Sequence, residues 1–134
     1  MSRVIVPVRY PLSEHSRGTL AGAIDIAEER EAELTVLHVN LHQEGSRVTR
    51  TELKRAVQRA FGHVSNARYV VRSGFLVEQT ILDEVAAEDA DVVVIGRKQV
   101  GRWRRTLRSL LGEPDIEAFL REELDCELVT VDGT

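Results

Sequence analysis

Asp91-Val92-Val93-Val94-Ile95-Gly96 is the stretch that decides the fold of this chain. Four consecutive β-branched apolar residues leave no polar face, so this strand must be covered on both sides. That is the condition of a central strand in a parallel sheet, whose crossover helices pack on either surface. Working outward, Val4 to Val8 is a shorter apolar run interrupted by Pro7, and Glu33 to Val39 is a second strand. Ala67 to Val71, followed by Ser73-Gly74, is a third, and Leu128 to Val131 closes the domain as a fifth.

Helical periodicity fills the intervals. Ser13-Glu14-His15-Ser16 opens a helix with Leu20, Ala23, Ile24 and Ala27 on one face, and Gly18 and Gly22 let it lie close on a sheet. Residues 40–48 read as a polar loop. Thr49 and Glu52 have capping-box spacing ahead of a stripe of Leu53, Val57, Ala60 and Phe61. Val77, Ile81 and Val85 stripe a third helix, and Trp103, Leu107, Leu110 and Leu111 form a short stripe that Gly112 breaks. A last helix starts at Pro114, with Asp115 and Glu117 suited to its positive end and Ile116, Phe119, Leu120 and Leu124 facing the core. Strict alternation of strand and helix predicts one α/β domain over 1–134. Its form is Rossmann-like: a doubly wound, mostly parallel five-stranded sheet with helices on both faces. Ligands of such sheets bind beyond the carboxyl ends of the strands where strand order reverses, which directs attention to the loops starting at Arg9, Val39 and Gly96.

Composition narrows the function classes. Of 134 residues, 43% are hydrophobic and 30% charged, the balance of a globular protein. No apolar run nears the ~20 residues of a membrane span. The N-terminus has no signal-peptide layout, and a single cysteine, Cys126, allows no internal disulfide or cysteine zinc cluster. A cytoplasmic protein without a membrane partner is expected. The net charge of −4 argues against nucleic acid, although Arg97, Lys98, Arg102, Arg104, Arg105 and Arg108 put +6 on residues 97–108. That stretch reads as a solvated face or as a docking surface for a protein partner.

His15, His38, His42 and His63 show no metal-ligand spacing, and no nucleophile or acid/base pair stands out, so neither a metal site nor a catalytic residue is predicted. Ser13 and Ser16 are better explained by helix capping than by catalysis. His38 reads as a core or rim residue, His42 as a loop residue within reach of a ligand, and Cys126 as a buried strand residue. Asp89 and Asp91 read as structural groups at the amino end of the central strand.

Three segments together resemble the universal stress protein family. They are Val4-Ile-Val-Pro-Val-Arg-Tyr-Pro-Leu-Ser-Glu-His-Ser16, Leu34-Thr-Val-Leu-His-Val39, and Ala90-Asp-Val-Val-Val-Ile-Gly96 with its later Leu128-Val-Thr-Val131 strand. The resemblance spans essentially the whole chain. It implies the universal-stress-type fold, a homodimer formed through the C-terminal strand, and an adenine-nucleotide site. ATP-binding members of that family carry an Asp just after strand one and a Gly-x2-Gly-x9-Gly-Ser/Thr loop after strand four. Here Val8 is followed by Arg9 at the Asp position. Gly96, Gly101 and Gly112 are spaced Gly-x4-Gly-x10-Gly, and Glu113 stands at the hydroxyl position. Val39 corresponds to the place where family members offer backbone groups to adenine. With Arg97 and Lys98, placed to clamp an anion, these residues make up the candidate site.

A helix N-terminus attracts phosphate through its free N–H groups and dipole. Pro114 removes one such N–H, and Glu113, Asp115 and Glu117 crowd that turn with carboxylates. Arg9 and Glu113 are expected to pair across the crevice. The resulting expectation is a binding or regulatory module of stress response, with weak or absent ATP binding and no firmly assigned cofactor. One alternative retains ATP binding, with Arg9, Arg97 and Lys98 compensating. Another is a partner-binding domain that uses the arginine-rich 97–108 surface. Slow nucleotide hydrolysis would require a metal site that the sequence does not supply.

Overall fold

The computed structural model describes residues 2–45, 47–96 and 116–131. The strands are β1 (Arg3–Pro7), β2 (Glu33–Leu41), β3 (Ala67–Gly74), β4 (Val92–Gly96) and β5 (Glu127–Val131). Among the described residues the helices are α1 (Glu14–Glu29), α2 (Arg50–Phe61), α3 (Val77–Glu88) and α4 (Ile116–Glu123), with a 3-10 turn at His42–Glu44. The strands form one sheet in the order β3-β2-β1-β4-β5, with every neighbouring pair parallel.

The first two helices begin for local reasons. Ser13 caps α1, its Oγ accepting from Ser16 N–H at 3.2 Å, so the Ser-Glu-His-Ser motif is a cap. At α2, Thr49 Oγ1 accepts from Glu52 N–H, and the Glu52 carboxylate accepts from Thr49 N–H at 2.9 Å, closing the capping box. Asp89 ends α3 in the left-handed conformation, which its short polar side chain tolerates better than most.

The sheet separates two apolar layers. Val4, Val6, Val8, Leu34, Val36, Val92 and Val94 pack with Leu20 and Ala23 of α1 and Leu53 and Val57 of α2. Ile5, Leu37, Val70, Val93 and Ile95 pack on the other surface with Ile81 of α3 and Leu120 of α4. All five residues of β4 are buried, as a two-sided strand requires. At Gly22, α1 approaches β5 so closely that a Cβ would lie 3.2 Å from Val131 Cγ1.

Several sequence-based boundaries need correction. β1 is shifted one residue earlier, β5 begins at Glu127, and β2 and β3 run on to Leu41 and Gly74. Asn40 pairs with Ser73 and Leu41 with Gly74 in the added segment, whose polar residues read as loop because their hydrogen-bond partners are non-local. Ala60 is exposed, leaving Leu53 and Val57 as the buried stripe of α2. Cys126 is half-buried and precedes β5 instead of lying in it. The predicted start of the last helix at Pro114 and the stripe at Trp103, Leu107, Leu110 and Leu111 lie outside the described residues.

Candidate functional site

From β1 the sheet grows one way through β2 to β3, and from β4 the other way to β5, so the switch point lies between β1 and β4. Their shared register covers only Val4↔Val92 and Ile5↔Val93, whereas β4 pairs with β5 as far as Gly96↔Val131. A ligand crevice opens at such a place, beyond the carboxyl ends of the strands. At this end of the sheet Val8 and Gly96 are buried, and Arg9 and Val39 are half-buried. The structure thus brings Val8, Arg9, Val39 and Gly96 to one end of the sheet. Arg97, Lys98, Gly101, Gly112 and Glu113 lie outside the described residues, as does any Arg9–Glu113 contact.

The direction of the β2 main chain follows from two hydrogen bonds. Leu34 N–H donates to Asn66 C=O at 2.9 Å on the β3 side, and Leu37 C=O accepts from Val8 N–H at 2.8 Å on the β1 side. Successive residues of a paired strand turn their main-chain groups to opposite neighbours. Val39, two residues past Leu37, therefore directs its N–H and C=O to the β1 side. The β1–β2 register has already ended there, at Pro7↔Leu37.

His38 is buried, with Nδ1 at 3.0 Å from the Val8 carbonyl oxygen and the Tyr10 ring edge-on at 6.3 Å. A carbonyl only accepts, so Nδ1 carries the hydrogen. Burial pushes the imidazole pKa below its ordinary value, the Val8 carbonyl opposes the shift, and the Arg9 charge adds to it. The ring is accordingly neutral. Asn40 organises the following loop: its Nδ2 donates to Val48 C=O and its Oδ1 accepts from Val48 N–H, both at 3.0 Å. His42 rests on Phe75, with ring centroids 4.5 Å apart, and Gln43 Nε2 donates to Phe75 C=O at 3.0 Å.

Asp91 lies at the opposite end of the sheet, where its Oδ2 accepts from Arg3 N–H at 2.8 Å, a structural role as expected. A cavity of about 640 Å³ also opens at that end, lined in part by Leu82, Val85, Asp91 and Cys126. It is remote from the switch point. Sequence reading missed a buried ionic cluster under α3, where Glu84 receives Arg72 and Glu88 receives Thr35. Its signal was the spacing of Val77, Ile81, Glu84 and Glu88, which places two glutamates on the apolar face of the helix. Among the described residues no group of His, Cys, Asp and Glu could hold a metal ion, and no helix is long and apolar enough to cross a membrane.

These features define a doubly wound α/β domain whose switch point lies between β1 and β4. The chain belongs to the universal stress protein family, whose model matches residues 1–114. The fold matches a universal stress protein solved in complex with cAMP at a TM-score of 0.70 and 17% identity, over 100% of both chains. The universal stress protein of Archaeoglobus fulgidus in complex with dAMP matches at 0.67 and 14%, over 98% of each chain. A family member from Arabidopsis thaliana with AMP bound matches at 0.63 and 16%, over 98% of this chain and 92% of that one. No curated protein sequence matches the chain.

Proposed function

We propose that this chain is a regulatory binding module of the universal stress type. In this reading its crevice keeps the adenine half of a nucleotide site but not a competent triphosphate half, so that ATP binds weakly or not at all. The observation that carries the reading is the Val39 main chain, which is directed to the β1 side beyond the last β1–β2 ladder bond. Adenine carries an amine donor beside a ring-nitrogen acceptor, and one residue's C=O and N–H match that pair. The three relatives named above carry cAMP, dAMP and AMP, which supports the same ligand class.

The phosphate half differs. Arg9 stands where the resemblance expects a carboxylate after β1, and the sequence ahead of and into α4 carries Glu113, Asp115 and Glu117 with Pro114, anions and an imino acid that disfavour phosphate. Arg9, Arg97 and Lys98 offer charge enough for a single phosphate. The module acts in the cytoplasm as a homodimer through β5, an edge strand whose residues Leu128 to Val131 are half-exposed and need covering.

Thermal shift and calorimetric titration with AMP and with Mg-ATP test the reading. AMP should raise the melting temperature, with ATP at the same concentration giving the smaller effect. A rise of several degrees with millimolar ATP overturns the weak-ATP assignment. Equal indifference to both nucleotides overturns the adenine site and leaves the arginine-rich 97–108 surface as the functional one.

A further inference from the structure

We infer that His38 is a positioning residue: by occupying the Val8 carbonyl it stops the β1–β2 ladder one bond short and keeps the Val39 main chain open to a ligand. The inference deepens the adenine-site reading and rests on it for the identity of that ligand.

In a parallel pair, a residue that donates its N–H to one carbonyl normally accepts, through its own C=O, from the residue two further along the partner strand. Val8 donates to Leu37, so its carbonyl is the acceptor that Val39 N–H would meet next. The register nevertheless ends at Pro7↔Leu37. The Val8 oxygen instead lies 3.0 Å from His38 Nδ1. A side-chain N–H thus stands in for the main-chain N–H, and Val8 keeps its partner while Val39 is spared. The ring is fixed for this task, since it is buried and its Nδ1 tautomer is set by the carbonyl it meets. An apolar residue at position 38 would leave the buried Val8 carbonyl without this donor, and the nearest remedy is closure of Val39 N–H onto it. The crevice would then lose the donor half of the pair that recognises adenine.

The test is amide hydrogen exchange on ¹⁵N-labelled protein, with calorimetric AMP titration of the wild type, His38→Leu and His38→Asn. Asn places an amide N–H close to where Nδ1 stood and serves as the conservative rescue. In the wild type the Val39 amide should exchange at least about tenfold faster than that of Leu37, the effect of one hydrogen bond. His38→Leu should protect Val39 and weaken AMP binding by about tenfold, and His38→Asn should restore both towards wild type. A wild-type Val39 amide as protected as Leu37 overturns the inference, even if His38→Leu does not fold. So does unchanged exchange in a folded His38→Leu protein. If Val39 behaves as expected but AMP does not bind wild-type protein, the nucleotide reading fails while the effect of His38 on the ladder stands.

Discussion

Glu88→Gln should leave the protein unchanged in mild acid and stabilise it above neutrality. Glu84 and Glu88 lie one turn apart on α3, with side chains only 3% and 4% exposed. Glu84 is held by Arg72, whose Nε lies 2.7 Å from Oε1. Glu88 Oε1 accepts from Thr35 Oγ1 at 2.7 Å, while Arg3 and Arg68 stand off at 3.6 Å and Oε2 is buried without a hydrogen-bond donor. Burial, and then the hydrogen bond shared with Glu84, push the Glu88 pKa above its ordinary 4.5. Burial would raise Glu84 too, but the hydrogen from Glu88 and the Arg72 guanidinium outweigh it and hold Glu84 below that value. Folding thus favours the protonated form of Glu88 and the ionised form of Glu84.

A group whose pKa is raised by folding contributes fully below its unfolded pKa, and the contribution is lost as pH rises through the folded value. Glutamine keeps an N–H where the proton was and cannot ionise. Leaving a buried acceptor unsatisfied costs about 1–3 kcal/mol, and more when it is charged. Arg3 and Arg68 offset part of this, so the expected gain at pH 8 is about 1–2 kcal/mol. With urea slopes of about 1–3 kcal/mol/M, the midpoint should rise by roughly 0.5–1 M at pH 8 and hardly move near pH 4.5. Urea titrations followed by circular dichroism at both pH values measure this. A similar loss of stability at both would refute the reasoning, because it would mean that Glu88 is ionised and held by its arginines.

Three further outcomes are expected. Asn40→Ala removes both bonds to the buried Val48 main chain and should cost about 2–4 kcal/mol, read as a lower melting temperature. Gly22→Leu should cost about 1–3 kcal/mol by forcing α1 off Val131, and adding Val131→Ala should recover part of the loss in a double-mutant cycle. His38 has its pKa lowered by burial, so its contribution is present above the ordinary 6.5 and is lost as pH falls through the folded value. Melting temperature measured from about pH 7 down to 5 should accordingly fall less for His38→Asn than for the wild type.

Much of the fold was legible because it is governed by local pattern. Four apolar β-branched residues at Val92 to Ile95 demanded cover on both faces, and they received it. Ser13 and the Thr49–Glu52 pair announced helix starts through hydrogen bonds that span three residues. The carboxyl ends of β2 and β3 were missed because Asn40 and Ser73 look like loop residues until their distant partners are known. Glu84 and Glu88 were overlooked for the same reason, since their burial depends on partners on other elements, Arg72 on β3 and Thr35 on β2 among them.

What the sequence determined by itself was the alternation of strands and helices, the central place of β4, and the end of the sheet at which to look. These depend on side-chain periodicity and on the chemistry of near neighbours. Only the tertiary structure decided where the β1–β2 ladder stops. That depends on whether a ring at position 38 or an amide at position 39 reaches the Val8 carbonyl first, a choice made across 30 residues of chain. No periodicity encodes it, because both donors lie on the same strand and compete for the same atom in space.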